Sequence, residues 1–370
     1  MTNALNLPEI DQEQALELCK FFIQSKQSLF LFGRRGTGKT EIAIQAIESC
    51  KYNVNYINLS VIERPDLAGY PNINSPGDVI NFKSPSFLPA LLDNNKPNQI
   101  ILFDEVDKAS PEVTAPLLEI LQRGSINGKK INVSSCILTG NLANEGAYSN
   151  QISSALLDRG SKYILNFNFE KWVDWAKLND IHDLILGFLR SHPDLACGNV
   201  EDTKYATPSP RGWTLASHAL IKAKNFKIVD IETITQIISG FVGHEVGIKF
   251  KVWYEHYKKF EPYVQSIIEI GSSSLDFEKL QGTEKIVFAI ALCHYAKQKY
   301  LQEFKKTNYT ASHLENLVKF FNTTNIDKEI KIMGLYNAFD LEMVAKYKMF
   351  TCVNFFNMFK TLSEGIIIKK

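Results

Sequence analysis

Gly33-Arg34-Arg35-Gly36-Thr37-Gly38-Lys39-Thr40 sets two glycines around four residues and ends in Gly-Lys-Thr. This spacing cradles phosphate: glycines let the backbone turn its N–H groups inward around phosphate oxygens. Lys39 is then expected to reach the β and γ phosphates, and the Thr40 hydroxyl to bind Mg²⁺. A second chemical feature lies downstream, where the apolar run Gln99-Ile100-Ile101-Leu102-Phe103 ends in Asp104-Glu105. Carboxylates at the carboxyl end of a parallel strand sit where open α/β sheets bind ligands, beside the phosphate loop if the two strands are neighbours. There Asp104 would hold Mg²⁺ through its water shell, and Glu105 would orient and deprotonate an attacking water. A third apolar run, Cys136-Ile137-Leu138-Thr139, leads into Gly140-Asn141. Asn141 at that edge is either a turn residue after glycine or an amide that holds the attacking water or the γ-phosphate.

The elements that position these groups can be read around them. Ser28-Leu29-Phe30-Leu31-Phe32 reads as a buried strand before the loop, and Glu41 to Ile47 as a helix whose dipole adds its positive end to the loop. Residues 12 to 25 carry apolar positions at helical spacing, and Val54 to Leu59 alternates as a second strand. Ser60 to Pro89 is rich in Pro, Gly and Asn, and is either a functional insertion or a long loop. Ser110-Pro111-Glu112 is expected to open a helix with a side-chain cap, and Gly124 to close it. Residues 125 to 133 hold an Asn-Gly turn between strand-like flanks, which predicts a hairpin. Leu156-Leu157-Asp158-Arg159-Gly160 precedes another strand-like stretch, Tyr163 to Phe167. From about 170 onward the pattern is helical and aromatic, which places a domain boundary near 168 to 172. Thr207-Pro208-Ser209-Pro210-Arg211-Gly212-Trp213 is a rigid lead into a helix with one arginine, Arg211, whose plainer role is a solvated charge on a capping loop.

Composition bounds the rest. A chain of 370 residues with 45% hydrophobic and 22% charged residues and a formal net charge of +1 is expected to be soluble and to hold more than one domain. That balance demands no polyanionic partner. Six cysteines are scattered without paired spacing, which suggests neither a zinc cluster nor a disulfide framework. The polar start and the lack of a long apolar stretch point to a cytoplasmic protein without a membrane span.

Taken together, the motifs resemble the AAA+ ATPases, and within them the MoxR-like, dynein-related branch. Phe32 to Thr40 is similar to that branch's Walker A loop, Leu102 to Ala109 to its Walker B strand and following turn, and Thr139-Gly140-Asn141 to its sensor 1. Ala155 to Arg159 resembles the arginine-finger helix end, and Pro208 to Arg211 the sensor 2. Gly160 departs from the branch, which commonly has an apolar or aromatic residue after that arginine. The stretch from Pro65 through Phe82 and Phe87 is similar to the branch's helix-2 insert, and the 125 to 133 hairpin to its pre-sensor 1 insert. The resemblance implies an α/β fold: a P-loop AAA+ domain with a five-stranded parallel sheet over 1–170, an all-α lid with sensor 2 over 171–260, and a helical C-terminal extension over 261–370. It implies a Mg²⁺-dependent ATPase, with ATP bound by residues 33–40 and Thr40 and Asp104 on the metal side. Lys39, Asp104, Glu105, Asn141 and Arg211 would act in the same subunit. Arg159, if it lies on the far side of the domain, would complete a neighbour's site, which implies a homo-hexamer.

The client is not written in these residues. The family resemblance implies a protein that the ATPase remodels, often, in that family, one with a von Willebrand A domain. Interleaved basic and aromatic residues from Lys249 to Phe260 leave a nucleic-acid-associated ATPase as the alternative, although Trp253, Tyr257 and Phe260 also fit a core stripe. The intact Glu105 disfavours a third class, a nucleotide-gated scaffold with little turnover.

Overall fold

A computed structural model describes residues 7–74, 81–86, 88–93, 98–141, 152–198, 207–226, 230–305 and 311–367. The chain divides into two compact units, Met1–Trp172 and Val173–Lys370.

The first unit alternates strands and helices: β1 (Glu9–Ile10), α1 (Gln12–Gln24), β2 (Leu29–Gly33), α2 (Lys39–Ser49), β3 (Asn53–Asn58), α3 (Arg64–Ala68), β4 (Tyr70–Asn72), β5 (Asn81–Lys83), α4 (Leu88–Leu92), β6 (Gln99–Asp104), α5 (Pro111–Arg123), β7 (Ser125–Ile126), β8 (Lys129–Lys130), β9 (Ser135–Gly140), α6 (Ser154–Leu157) and β10 (Ser161–Leu165). Six strands form one parallel sheet in the order β1-β10-β2-β9-β6-β3. The expected sheet of five gains an edge strand. Glu9–Ile10 is too short to show any periodicity, and only its pairing with Ile164 and Leu165 makes it a strand.

The sheet is buried on both faces, which explains its continuous apolar runs. Successive side chains point to opposite faces. Leu29, Leu31, Ile100, Leu102, Ile137 and Leu165 therefore pack with α1 and α2, through Ala15, Cys19, Ile23, Ala43 and Ile47. Phe30, Phe32, Ile101, Phe103, Leu138 and Ile164 pack on the other side with Leu67, Leu88, Val113, Leu117 and Leu156. Helices thus cover both faces of the sheet.

Two small hairpins stand apart from this sheet, β4 with β5 and β7 with β8. Asn127 and Gly128 both take positive φ, 48° and 72°, as the tight turn between β7 and β8 requires. Glu119 fastens that turn, accepting from Ser125 Oγ at 2.8 Å and from the N–H groups of Asn127 and Gly128 at 3.1 and 2.9 Å. These bonds outweigh burial and hold its carboxyl below the usual range. The Asn127 amide also donates to the Ala68 carbonyl, which ties this hairpin to the 60–89 stretch. Phe87 of that stretch lies outside the described residues. Ser110 precedes α5, but its side chain makes no cap bond. Gly124 ends α5 in the left-handed region (φ 56°) and donates to the Ile120 carbonyl.

The second unit is helical throughout its described residues: α7 (Phe169–Leu178), which spans the division, then α8 (Asp183–Ser191), α9 (Pro210–Asn225), α10 (Ile231–Val242), α11 (His244–Ile270), α12 (Gly282–Phe304), α13 (Ser312–Thr323), α14 (Lys328–Ala338), α15 (Leu341–Lys346) and α16 (Val353–Ile367). Its core is aromatic. Phe188 lies 5.3 to 5.9 Å, ring centre to ring centre, from Trp213, Phe250 and Trp253. A Cβ at Gly187 would come within 3.1 Å of the Trp253 ring, so glycine lets α8 approach α11 closely. One polar cluster is built into this apolar surrounding. Asp183 lies 2.8 Å from Lys297 Nζ and 3.3 Å from His294 Nδ1. His294 Nε2 bonds Asn337 Oδ1, and Asn337 Nδ2 donates to the Leu186 carbonyl at 3.1 Å. No helix among the described residues is long and apolar enough to cross a membrane.

Candidate nucleotide-binding site

Parallel register brings three strand ends to one edge. Phe32 of β2 pairs with Gly140 of β9, and Phe103 of β6 pairs with Leu138 of β9, so Gly33, Asn141 and Asp104 emerge side by side. β9 stands between β2 and β6, so the loop strand and the acidic strand are not neighbours. Asp104 reaches the loop across the tip of β9.

The loop closes on its own lysine. Gly36 and Gly38 take φ of 72° and 96°, in the left-handed region that favours glycine. A Cβ at Gly33 would lie 2.7 Å from the Leu165 carbonyl oxygen, so only glycine fits against β10 there. Lys39 is buried, and its ammonium donates to the carbonyls of Gly33 and Arg34, both at 2.7 Å, and to Asn141 Oδ1 at 3.1 Å. Thr37 Oγ1 donates to the Arg34 carbonyl at 2.8 Å. Arg35 is exposed and Arg34 half-buried. The cap of α2 is Gly38, which offers no side chain to bond the first-turn N–H groups. Those groups and the positive end of the helix dipole form the kind of site that binds anions.

Asp104 gathers donors from several elements. Thr40 Oγ1 lies 3.2 and 3.1 Å from its two carboxylate oxygens. The Glu105 N–H donates to Oδ1 at 3.0 Å, and Thr139 Oγ1 also bonds Oδ1. Tyr56 Oη donates to Oδ2 at 2.9 Å. Burial, together with the Asp104 hydrogen bond and charge, pushes the Tyr56 phenol up to about 12, so it stays a donor at neutral pH. Glu105 itself adopts the left-handed conformation (φ 57°, ψ 45°), which is strained for a side chain of its kind. Asn141 is held from behind: its N–H donates to Asp107 Oδ1 at 2.9 Å, and its amide nitrogen lies 3.5 Å from Asp107 Oδ2.

The structure thus brings together Lys39, Thr40, Asp104, Glu105 and Asn141. It does not bring Arg159 to them. Ser161 pairs with Leu29 and Leu165 with Gly33, so Arg159 precedes the opposite, amino edge of the sheet. The length of β10, about 13 Å at ~3.3 Å per residue, separates the two edges. Arg159 Nε is buried without a hydrogen-bond partner among the described residues. Arg211 lies in the second unit, exposed in the first turn of α9. In the same unit Trp253 and Phe260 of the expected stripe are buried and Tyr257 is half-buried, while Lys249, Lys258 and Lys259 are exposed, which is the pattern of a core stripe with a solvated face.

Sequence reading missed Tyr56 and gave Thr139 and Asp107 no separate role. Alternation marks Tyr56 as a strand residue, but the hydrogen bond to Asp104 depends on β3 lying next to β6, which no local pattern states.

Residues 28–159 match the family described as the AAA domain (dynein-related subfamily). The chain is 31% identical over 127 residues to the chaperone protein ClpB of Mycoplasma genitalium, covering 31% of this chain and 17% of that protein. It is 30% identical over 156 residues to the human mitochondrial disaggregase, covering 37% of this chain and 22% of that one. The chain therefore spans about a fifth of the length of these curated relatives. Among solved structures it is similar to the Thermotoga maritima RuvB motor at 15% identity, covering 70% of this chain and 77% of that one, with a TM-score of 0.37. The family match and the parallel sheet that carries the loop together give the first unit an α/β AAA+ fold.

Proposed function

We propose that the chain is a MoxR-like AAA+ ATPase that hydrolyses ATP at the contact between two copies and uses the cycle to remodel a protein partner. The observation that carries this reading is the convergence of Lys39, Thr40, Asp104 and Asn141 at one sheet edge, with Glu105 adjoining. Residues 33–40 would hold the phosphates through backbone N–H groups and the Lys39 ammonium. The metal side also fits: a carboxylate and a hydroxyl in mutual contact are oxygen donors of the kind Mg²⁺ uses together with substrate phosphates. Mg²⁺ held by Thr40 and Asp104 would neutralise charge on the phosphate oxygens. Glu105 takes the proton of the attacking water, and Asn141 holds that water or the γ-phosphate.

The position of Arg159 supports a site completed by a second copy, since it lies a strand's length from its own loop. An arginine supplied by a neighbour stabilises charge on the transferring phosphoryl group. Arg211 would sense the γ-phosphate from the helical region. We read that region as a lid over 171–260 and an extension over 261–370. The named relatives are a chaperone and a disaggregase, which favours a protein client; a von Willebrand A domain partner rests on the family resemblance alone.

The test is complementation in mixed rings. Arg159→Ala and Glu105→Gln are each expected to bind ATP without turnover, and mixing them should restore part of the activity. Full turnover by Arg159→Ala alone, or a mixture as inactive as its parts, would overturn the shared site.

A further inference from the structure

We propose that Tyr56 is a positioning residue whose hydroxyl fixes the Asp104 carboxylate and so sets divalent-cation affinity at the nucleotide site, an inference that rests on the reading of that site given above. Asp104 ends β6, and the sheet order places β9 on one side of β6 and β3 on the other. Each flanking strand sends one hydroxyl to the carboxylate. Thr139 of β9 bonds Oδ1, and Tyr56 of β3 bonds Oδ2 at 2.9 Å. Two donors approaching from opposite sides fix the plane of the group, one on each oxygen.

The two oxygens are not equally held. Oδ1 also accepts the Glu105 N–H at 3.0 Å and Thr40 at 3.2 Å, whereas Oδ2 has only Thr40, at 3.1 Å, besides Tyr56 among the described residues. Thr40 is the residue that must present an oxygen lone pair to the metal, so it cannot alone be relied on to orient the carboxylate. The orientation of Oδ2 falls to Tyr56. A carboxylate already oriented toward the metal's water shell loses less freedom on binding, and affinity rises accordingly.

Tyr56 is 49% exposed, so its ring contributes little to the core and its hydroxyl can be removed without leaving a cavity. Tyr56 also lines an open cleft of about 800 Å³, whose wall includes Val61, Pro65, Tyr70 and Lys83 from the 60–89 stretch. The residue therefore joins that inserted stretch to the metal side of the site.

Tyr56→Phe removes the hydroxyl alone. A hydrogen bond to a charged group is worth more than a neutral one, but half exposure discounts it, so the expected effect is a roughly three- to tenfold rise in half-saturating Mg²⁺. The measurement is binding of a fluorescent ADP analogue to the full chain, first in EDTA and then with Mg²⁺ titrated, alongside thermal unfolding. The expected result is an unchanged metal-free affinity and unfolding temperature with a weakened Mg²⁺ response. An unchanged Mg²⁺ response overturns the assignment, and so does an equal loss with and without Mg²⁺, which would mark a structural role. If the wild-type chain binds the analogue with no Mg²⁺ dependence, the metal-site reading itself fails, and that outcome is visible before any variant is compared.

Discussion

The amide oxygen of Asn141 accepts from the Lys39 ammonium at 3.1 Å, and its nitrogen faces Asp107, so the amide is fixed in one orientation between the loop and the turn after β6. An ammonium has three donors, and here the carbonyls of Gly33 and Arg34 and the Asn141 amide use all three. Binding of phosphate must exchange at least one of these bonds. Lys39→Ala is expected to abolish nucleotide binding, since no other buried cation lines the loop among the described residues. Asn141→Ala should keep nucleotide affinity within a few-fold and lower turnover by about 10²-fold, the scale for removing one oriented hydrogen-bonding group from a catalytic site. Fluorescent-nucleotide titration paired with phosphate release separates the two effects. Equal losses of binding and turnover in Asn141→Ala would reduce its role to holding Lys39.

Glu105 combines backbone strain with the role of general base proposed for it. At φ 57° a side chain other than glycine costs about 1–2 kcal/mol, and glycine would escape that cost while giving up backbone entropy of similar size. Glu105→Gly is therefore expected to unfold at or above the wild-type temperature, whereas Glu105→Val should be clearly less stable. Both should lose turnover, as should Glu105→Gln, which keeps ATP bound. A Glu105→Gly variant less stable than Glu105→Val would show that the side chain, not the backbone, holds this turn.

Gly160 explains a departure that the sequence could only register. A Cβ there would lie 2.6 Å from the Ser28 carbonyl oxygen and 3.0 Å from the Phe30 ring, because the chain leaving Arg159 crosses the start of β2 at close range. An apolar side chain does not fit without moving β2 or β10. Gly160→Ala should cost about 1–3 kcal/mol, the range for overpacking a closed core. Thermal unfolding measures it, and a variant of wild-type stability would mean that β10 can shift away from β2.

The phosphate-cradling pattern is local, and it was legible for that reason. The loop motif fixes its own backbone, and the apolar runs ending in Asp104 and Thr139 declare buried parallel strands. Strand order is not local. Nothing in the residues around Asp104 states that β9 lies between it and the loop, or that β3 lies outside it. The contacts made by Tyr56, Thr139 and Asp107 all depend on that order. The Ser110 cap failed for a related reason, since a sequence pattern offers a side chain to a helix but does not oblige it to bond. In the helical unit the periodicity was plain, yet the pairing of Asp183 with His294 and Lys297 joins residues more than a hundred positions apart.

That pairing makes a prediction about acid. Burial alone would raise the Asp183 carboxyl, but the His294 ring and the Lys297 ammonium outweigh it and hold the group well below the usual carboxylate range. A carboxyl whose native value lies below its unfolded value of about 3.9 contributes stability above that pH, and the contribution fades as pH falls through the window beneath it. The charged and titratable groups around Asp183 are His294 and Lys297 on α12 and Tyr257 on α11, whose phenol is raised by burial and by Asp183 itself. Asp183→Asn keeps the shape and removes the charge, leaving Lys297 without its partner at neutral pH. The variant is expected to be less stable than wild type by about 2 kcal/mol at pH 7, below the scale for breaking a fully buried pair because the Asp183 side chain keeps 26% of its surface exposed. The gap should narrow steadily below pH ~4 as the wild-type carboxyl takes up its proton. Urea unfolding followed by tryptophan fluorescence, which senses Trp213 and Trp253 in the core of the same unit, gives both quantities. A gap that stays constant from pH 7 to 3 would mean that the Asp183 charge adds nothing to the helical unit.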